Sequence, residues 1–287
     1  MIVWVLLPAY NEEDSIPRLF PKIRSAFEAR AHDYRIVVVD DGSVDRTAQR
    51  LEEMRGEYPL DVLTHPINRG LGETERDGFE FCAACAADDD IIIRFDCDDT
   101  HDPSYIFTML DKLAEGYDVV NTSRFQPGGG QKGVSAYRSV ISYGANLFMK
   151  TVFSIQGVMD FSCGFRAYRA RVIKDAVAIF GNGFIQLKGL GFTSTLETIV
   201  KLNMLGCRFA EVPFVLRYDM KASESKMVTT LTSLGYLTMA VLYHWPWGGW
   251  RRFHKGLAQM YRDSPEQAYA RFARGRRKRS TMCQVGG

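Results

Sequence analysis

The stretch Ile91-Ile92-Ile93-Arg94-Phe95-Asp96-Cys97-Asp98-Asp99-Thr100-His101-Asp102-Pro103 decides the fold. Its first five residues form a short apolar run, broken once by Arg94, of the kind that makes a buried strand. Four acids follow, and a helix-period segment then starts near Pro103. Strand, polar turn and helix are thus packed into one passage, and the same order recurs upstream.

Strand-like runs lie at Ile2–Leu7, Arg35–Val39, Asp61–His65 and Asp118–Asn121, and helical patterns at Ser15–Ala31, Asp45–Arg55, Gly72–Ala86 and Pro103–Ala114. This alternation predicts an α/β fold, a doubly wound and mainly parallel sheet with helices on both faces. Such sheets bind ligands beyond the carboxyl ends of their strands. The first strand runs into Pro8-Ala9-Tyr10-Asn11-Glu12-Glu13, the second into Asp40-Asp41-Gly42-Ser43, and the fourth into the acids that begin at Asp96. A single acidic turn is ordinary, because Asp and Gly favour turns. Three that converge on one cleft predict chemistry.

Asp96 and Asp98 would set two hard oxygen donors beside one divalent ion. That suits Mg²⁺ or Mn²⁺, which keep positions open for a diphosphate. The ion would neutralise charge on a departing nucleoside diphosphate. A helix cap accounts for Asp102 but not for Asp96 or Asp98. Crowding four acids on one ion would overcharge it, so Asp40 and Asp41 are assigned to a nucleobase or ribose, with Tyr10 against the base. Asn68-Arg69-Gly70-Leu71-Gly72 opens a helix whose backbone N–H groups can meet a phosphate or base.

The 287 residues are 46% hydrophobic and 24% charged, enough for one large core and contrary to wholesale disorder. The net charge of +2 conceals an asymmetry: Arg271–Arg279 holds six basic groups and no acid, leaving −4 elsewhere. Such a tail fits an anionic surface or is simply solvated. Six cysteines show no regular pairing, and Cys82 and Cys85 lack partners for a zinc site, so buried thiols in a reducing cytosol are expected. The strand-like start without a basic leader argues against a signal peptide. A cytoplasmic protein, peripheral on the cytoplasmic membrane face, is the expected location.

Between Lys226 and Arg251 no charged residue occurs, and His244-Trp245-Pro246-Trp247-Gly248-Gly249-Trp250-Arg251-Arg252 follows. Threonines dilute the segment. An interfacial helix is the favoured reading, with a core-packed amphipathic helix and a membrane span as alternatives. Gln126–Gln131 reads as a flexible loop and a lid, and Ala136–Phe153 as an amphipathic stretch. The expected division is a catalytic domain over 1–226, an amphipathic, membrane-interfacial helical region over 227–262 and a basic tail over 263–287.

Several motifs stand in a familiar order: Pro8–Glu12, Val38–Asp45, Asn68–Gly72, Asp96-Cys97-Asp98 with His101-Asp102-Pro103, Ser123-Arg124, Ser162–Arg166, Glu211-Val212-Pro213 and Glu224-Ser225-Lys226. In this the chain resembles the family 2 glycosyltransferases, specifically the dolichol- or polyprenyl-phosphate mannosyltransferase group, from Ile2 to about Met227. The resemblance implies an A-type glycosyltransferase fold with C-terminal amphipathic helices, and single-displacement transfer with inversion at the anomeric carbon. Pro8, Tyr10, Glu12, Val38, Asp40 and Cys97 match nucleotide-contacting positions. Asp96, Asp98 and Thr100 match metal-ligand positions, and Lys226 one beside the donor diphosphate. Arg124 and Arg138 match positions that grip an acceptor phosphate, a task suited to guanidinium forks. Arg166, read as pairing with a carboxylate under the site, and Glu197 also fall on family positions.

Two departures bear on the sugar and the acceptor. The family's Arg-x-x-Gly-x-Ser-Lys reads here as Met220–Lys226, with Met220 for the arginine and Ser223 for the glycine, and Phe180–Gly191 is longer and richer in glycine. The expected reaction moves a hexose, mannose favoured, from a GDP- or UDP-sugar to a polyprenyl or dolichyl phosphate at a membrane surface, without nucleic acid. The alternatives are the same donor chemistry with a soluble phosphorylated acceptor, as in natural-product or surface-glycan assembly, and a nucleotidyltransferase.

Overall fold

A computed structural model describes residues 1–220, 229–244 and 249–273, apart from the side chains of Arg138 and Thr229. Nine strands occur among the described residues: β1 Val3–Ala9, β2 Tyr34–Asp40, β3 Leu60–Thr64, β4 Ile91–Arg94, β5 Val119–Ser123, β6 Gly130–Lys132, β7 Arg166–Arg169, β8 Phe209–Pro213 and β9 Val215–Arg217. The helices are α1 Ile16–Glu28, α2 Thr47–Met54, α3 Leu71–Cys85, α4 Tyr105–Ala114, α5 Ala136–Phe153, α6 Ala170–Phe180, α7 Thr193–Leu205, α8 Thr229–His244, α9 Gly249–Phe253, α10 Leu257–Asp263 and α11 Pro265–Phe272.

β1 is buried at every position, as expected of a strand covered on both faces. α1 shows the complementary pattern, burying Ile16, Leu19, Phe20, Ile23 and Phe27 along one stripe. Seven strands join in the order β3-β2-β1-β4-β7-β5-β8, and two more, β6 and β9, form a small parallel ribbon. Within the large sheet every pairing is parallel except those of β7, which runs antiparallel between β4 and β5. β7 carries no strand signal of its own, since its four residues Arg-Ala-Tyr-Arg are too short and too basic. Its arginines serve its neighbours instead: the Arg169 guanidinium donates to the carbonyls of Tyr117 at 2.9 Å and Leu113 at 2.6 Å.

One core packs α3, α6 and α7 against one sheet face, and a second packs α1 and α4 against the other. Met239, Tyr243, Trp250, Leu257 and Ala268, from α8 to α11, are buried in the first of these cores. α8 therefore packs on the α/β body by one face, while Leu234, Leu237 and Val241 stay exposed on the other. No described helix is long and apolar enough to cross a membrane.

The loop expected to be flexible at 126–131 is tied down instead. Gly130 N–H donates to the Phe214 carbonyl at 2.9 Å and begins β6, and Gln126 Nε2 donates to Glu211 at 3.2 Å. A Cβ on Gly129 would stand 2.4 Å from the Ser123 carbonyl oxygen, so glycine permits an approach that fixes the loop.

Candidate active site

The carboxyl ends of β1, β2, β4 and β5 surround a cavity of about 690 Å³. Pro8, Tyr10, Glu12, Asp96, Cys97, Asp98, Thr100 and Arg124 all line it. Val38 and Asp40, assigned to the nucleotide from the sequence, do not: both are buried in β2, and Asp40 Oδ1 accepts from Ser43 N–H at 3.0 Å. Arg138 lies on α5 without a described side chain, and Lys226 lies outside the described residues.

Asp41 does reach the cavity wall, as the anchor of the next helix. Its oxygens accept from Arg69 N–H at 2.9 Å and Gly70 N–H at 2.8 Å, just before α3, and from His65 Nδ1 at 2.7 Å. The Asn11–Glu13 turn clasps the segment after β2: Asn11 Oδ1 accepts from Val44 N–H at 2.9 Å, and Glu12 N–H donates to Thr47 Oγ1 at 2.7 Å. The family-like motifs at 10–13, 40–45 and 68–72 are therefore bound to one another as well as to the cleft.

The acids after β4 divide their work. Asp99, with a positive φ of 61°, turns away and pairs with Lys22 of α1 at 2.6 Å. Asp102 caps the start of α4, accepting from Ser104 N–H at 2.9 Å. Asp96 and Asp98 remain at the cleft, and His101 joins them: ligand atoms of the three lie within 4.8 Å of one another. Two carboxylates and one imidazole fit Mn²⁺ or Mg²⁺, with the nitrogen donor better suited to manganese. Thr100, the expected third ligand, instead donates its hydroxyl to Asp98 Oδ1 at 2.6 Å. The same hydroxyl oxygen lies 3.3 Å from His101 Nδ1, which helps hold the ring in place. Phe214 stacks on the imidazole at 5.4 Å and Phe165 meets it edge-on at 5.5 Å, fixing the ring plane.

Arg124 is held from below. Its Nε and Nη2 donate to the two oxygens of Asp160 at 2.7 and 2.9 Å, and Nη2 also donates to Ser162 Oγ at 2.6 Å. Burial pushes the Asp160 carboxyl up, but the guanidinium and the hydrogen bonds from Arg124 and Cys163 N–H hold it below the ordinary carboxylate range. Glu211 fixes the same turn, accepting from Met159 N–H at 2.7 Å and Asp160 N–H at 2.8 Å. Arg166 pairs with backbone carbonyls, those of Phe161 and Thr195, in place of the expected carboxylate.

The glycine-rich 180–191 segment forms part of the cavity wall beside the start of α3, contributing Lys188, Gly189 and Gly191. Glu197 pins it by accepting from Gln186 N–H at 3.0 Å and Leu187 N–H at 2.9 Å, and burial raises this carboxyl to about 7. Its backbone lies so close to α3 that a Cβ on Gly72 would stand 2.5 Å from Lys188 Cα.

A profile of glycosyl transferase family 2 matches residues 4–176. The chain belongs to that family. It is 30% identical over 215 residues to a dolichol-phosphate mannosyltransferase of Pyrococcus furiosus, covering 75% of this chain and 56% of the relative. It is 34% identical over 178 residues to an undecaprenyl-phosphate 4-deoxy-4-formamido-L-arabinose transferase of Pseudomonas fluorescens, covering 61% and 49%. An undecaprenyl-phosphate mannosyltransferase of Micrococcus luteus is 29% identical over 249 residues, 86% of this chain and 94% of the relative. The chain thus spans about half the length of the first two relatives and nearly all of the third.

Among solved structures, a Mycobacterium tuberculosis glucosyl-3-phosphoglycerate synthase in complex with Mn²⁺, UDP and phosphoglyceric acid matches with a TM-score of 0.56. That match has 20% identity and covers 84% of this chain and 77% of the other. The A-type glycosyltransferase fold expected from the sequence is the fold observed. In this glycosyltransferase the sequence reading passed over His101, Lys188 and Asp160 as site residues. His101 carried a signal as part of the quoted His101-Asp102-Pro103, and Lys188 as part of the glycine-rich 180–191 segment; Asp160 reaches the site through tertiary packing.

Proposed function

We propose that this glycosyltransferase moves a hexose, mannose favoured, from a nucleoside-diphosphate sugar to a polyprenyl phosphate at a membrane surface, with inversion. The observation that carries the reading is that two helices with exposed apolar side chains, α5 and α8, meet the cleft. Its acid end holds Asp96, Asp98 and His101, and its other end holds Arg124, whose Nη1 lies 3.4 Å from Ser142 Oγ on α5. Leu231 of α8 also lines the cavity. Beyond these residues both helices present apolar side chains to solvent: Tyr137, Val140, Tyr143 and Leu147 on α5, and Leu234, Leu237 and Val241 on α8. Exposed arginines follow at Arg251 and Arg252. Apolar surface edged by cations suits an anionic lipid layer. The names of the relatives support the same acceptor class.

Asp96, Asp98 and His101 would hold Mn²⁺ or Mg²⁺, which supplies Lewis acidity toward the leaving diphosphate. Tyr10 and Pro8 bound the nucleotide end. An acceptor phosphate is anionic near neutral pH, so alignment is the main demand on the protein. Arg124 and Arg138 answer it by orienting the phosphate oxygens.

A thermal-shift panel of GDP- and UDP-sugars with Mn²⁺ identifies the donor, since a ligand of the native state raises the melting temperature. Transfer of the donor so found is then measured to polyprenyl phosphate in vesicles and to soluble phosphorylated acceptors. Product only with soluble acceptors overturns the lipid reading. In the same assay Arg138→Ala should raise the acceptor KM and leave nucleotide affinity unchanged.

A further inference from the structure

Arg94 is the last residue of β4 and is only 2% exposed, an unusual setting for a full guanidinium. Its Nε lies 2.6 Å from Oε1 of Glu75, a carboxylate on α3 that is also 2% exposed. That ion pair already balances the buried charge. The fork nevertheless reaches further: Nη1 lies 2.8 Å from Asp96 Oδ1 and donates to the Gly164 carbonyl at 3.1 Å. Asp96 is 29% exposed, so water can solvate it and it does not need Arg94 for its own burial. The slot is cut closely, since a Cβ on Gly164 would stand 2.0 Å from Nη1.

We infer that Arg94, backed by Glu75, is a positioning residue that fixes Asp96 and keeps the acid pair weak for a divalent ion until the donor diphosphate arrives. This rests on the reading that Asp96, Asp98 and His101 hold the metal. The guanidinium orients one oxygen of Asp96 and competes, as a cation, with any ion that approaches the same carboxylate. A bare ion meets that competition with only the protein's acids in its favour. An ion that shares a diphosphate brings further negative ligands, so metal and donor favour each other's binding. Glu75 makes the arrangement possible by neutralising the guanidinium at Nε, leaving Nη1 for Asp96.

Mn²⁺ affinity, read by electron paramagnetic resonance without any sugar donor, tests the inference. Removing Arg94 alone would strand Glu75, so the variant is Arg94→Met with Glu75→Gln, two near-isosteric neutral replacements. We expect it to bind Mn²⁺ on the order of tenfold more tightly than the wild type without nucleotide. We also expect a smaller gain in Mn²⁺ affinity when GDP or UDP is added. Gly164→Ala is the second variant, for use alone if the double variant fails to fold; it displaces the fork without altering any charge and should shift Mn²⁺ affinity in the same direction. Unchanged nucleotide-free Mn²⁺ affinity in whichever variant is folded overturns the inference and leaves Arg94 a structural residue. Asp98→Asn separates the two levels: if it binds Mn²⁺ as the wild type does, the metal site itself is misassigned.

Discussion

At the β1–β4 end of the cleft, carboxylates and amides are fastened to backbone N–H groups. Asp41 holds Arg69 and Gly70, Asn11 holds Val44, and Asp98 accepts from Thr100. At the β5–β8 end, charge is matched with charge: Arg124 is gripped by Asp160 and steadied by Glu211 through the same turn. The first device leaves net negative charge facing the cavity, as a metal site needs. The second leaves Arg124 largely neutralised by the carboxylate beneath it. If that end receives the acceptor, as proposed, apolar contact would add to what the arginines supply, and α5 and α8 expose apolar side chains for it.

The sharpest way to break this contrast is at the acid end. Asp98→Asn should lower transfer by about a thousandfold or more, the scale of losing a principal charge-stabilising group. Its melting temperature should stay near that of the wild type, and near-normal turnover would remove Asp98 from the site.

At the other end the larger effect should be on stability. Arg124→Ala strands Asp160, and losing one partner of a buried pair costs about 3–5 kcal/mol. The melting temperature should fall on the order of 10 °C at neutral pH. The sign of its pH dependence is fixed. The folded carboxyl lies below its ordinary range, so the pair stabilises the protein at neutral pH and loses that contribution as pH falls through the folded value. The gap between wild type and variant should therefore narrow in acid, and a gap that widened would contradict the assignment.

Gly72→Ala probes where the two halves meet. The added methyl meets the Lys188 backbone, so a cost of about 1–3 kcal/mol is expected, together with weaker nucleotide binding in a titration. The smallest structural effect belongs to Leu237→Glu on the exposed face of α8. It should leave the melting temperature unchanged while weakening binding to anionic vesicles about tenfold, from lost apolar contact and added repulsion. Equal vesicle binding would show that this face is not the one that meets lipid.

Apart from β6, the elements from β1 to α5 were legible: β2 over 34–40 lies where a continuous apolar run puts it, and α5 over 136–153 where amphipathicity does. The acid pair was legible because it ends a buried strand. What stayed hidden depends on contacts distant in sequence. Nothing near Asp99 announces its pairing with Lys22, 77 residues away, and nothing near Asp160 announces Glu211. Asp40 and Asp41 look alike as letters, yet one is enclosed in the strand and the other holds the backbone just before α3. The same limit hid β7, whose place is set by the edges of β4 and β5 and not by its own side chains.

That reversed strand also governs the order in which the protein can be made. β3, β2, β1 and β4 find one another within the first 94 residues, whereas the sheet neighbours of β5 are β7 and β8, both later in the chain. During synthesis β5 therefore waits, and β4 shows an open edge until residues 166–169 leave the ribosome. Joining the two halves of the cleft is a late, long-range event, so a chain stalled before β7 is the species most exposed to aggregation.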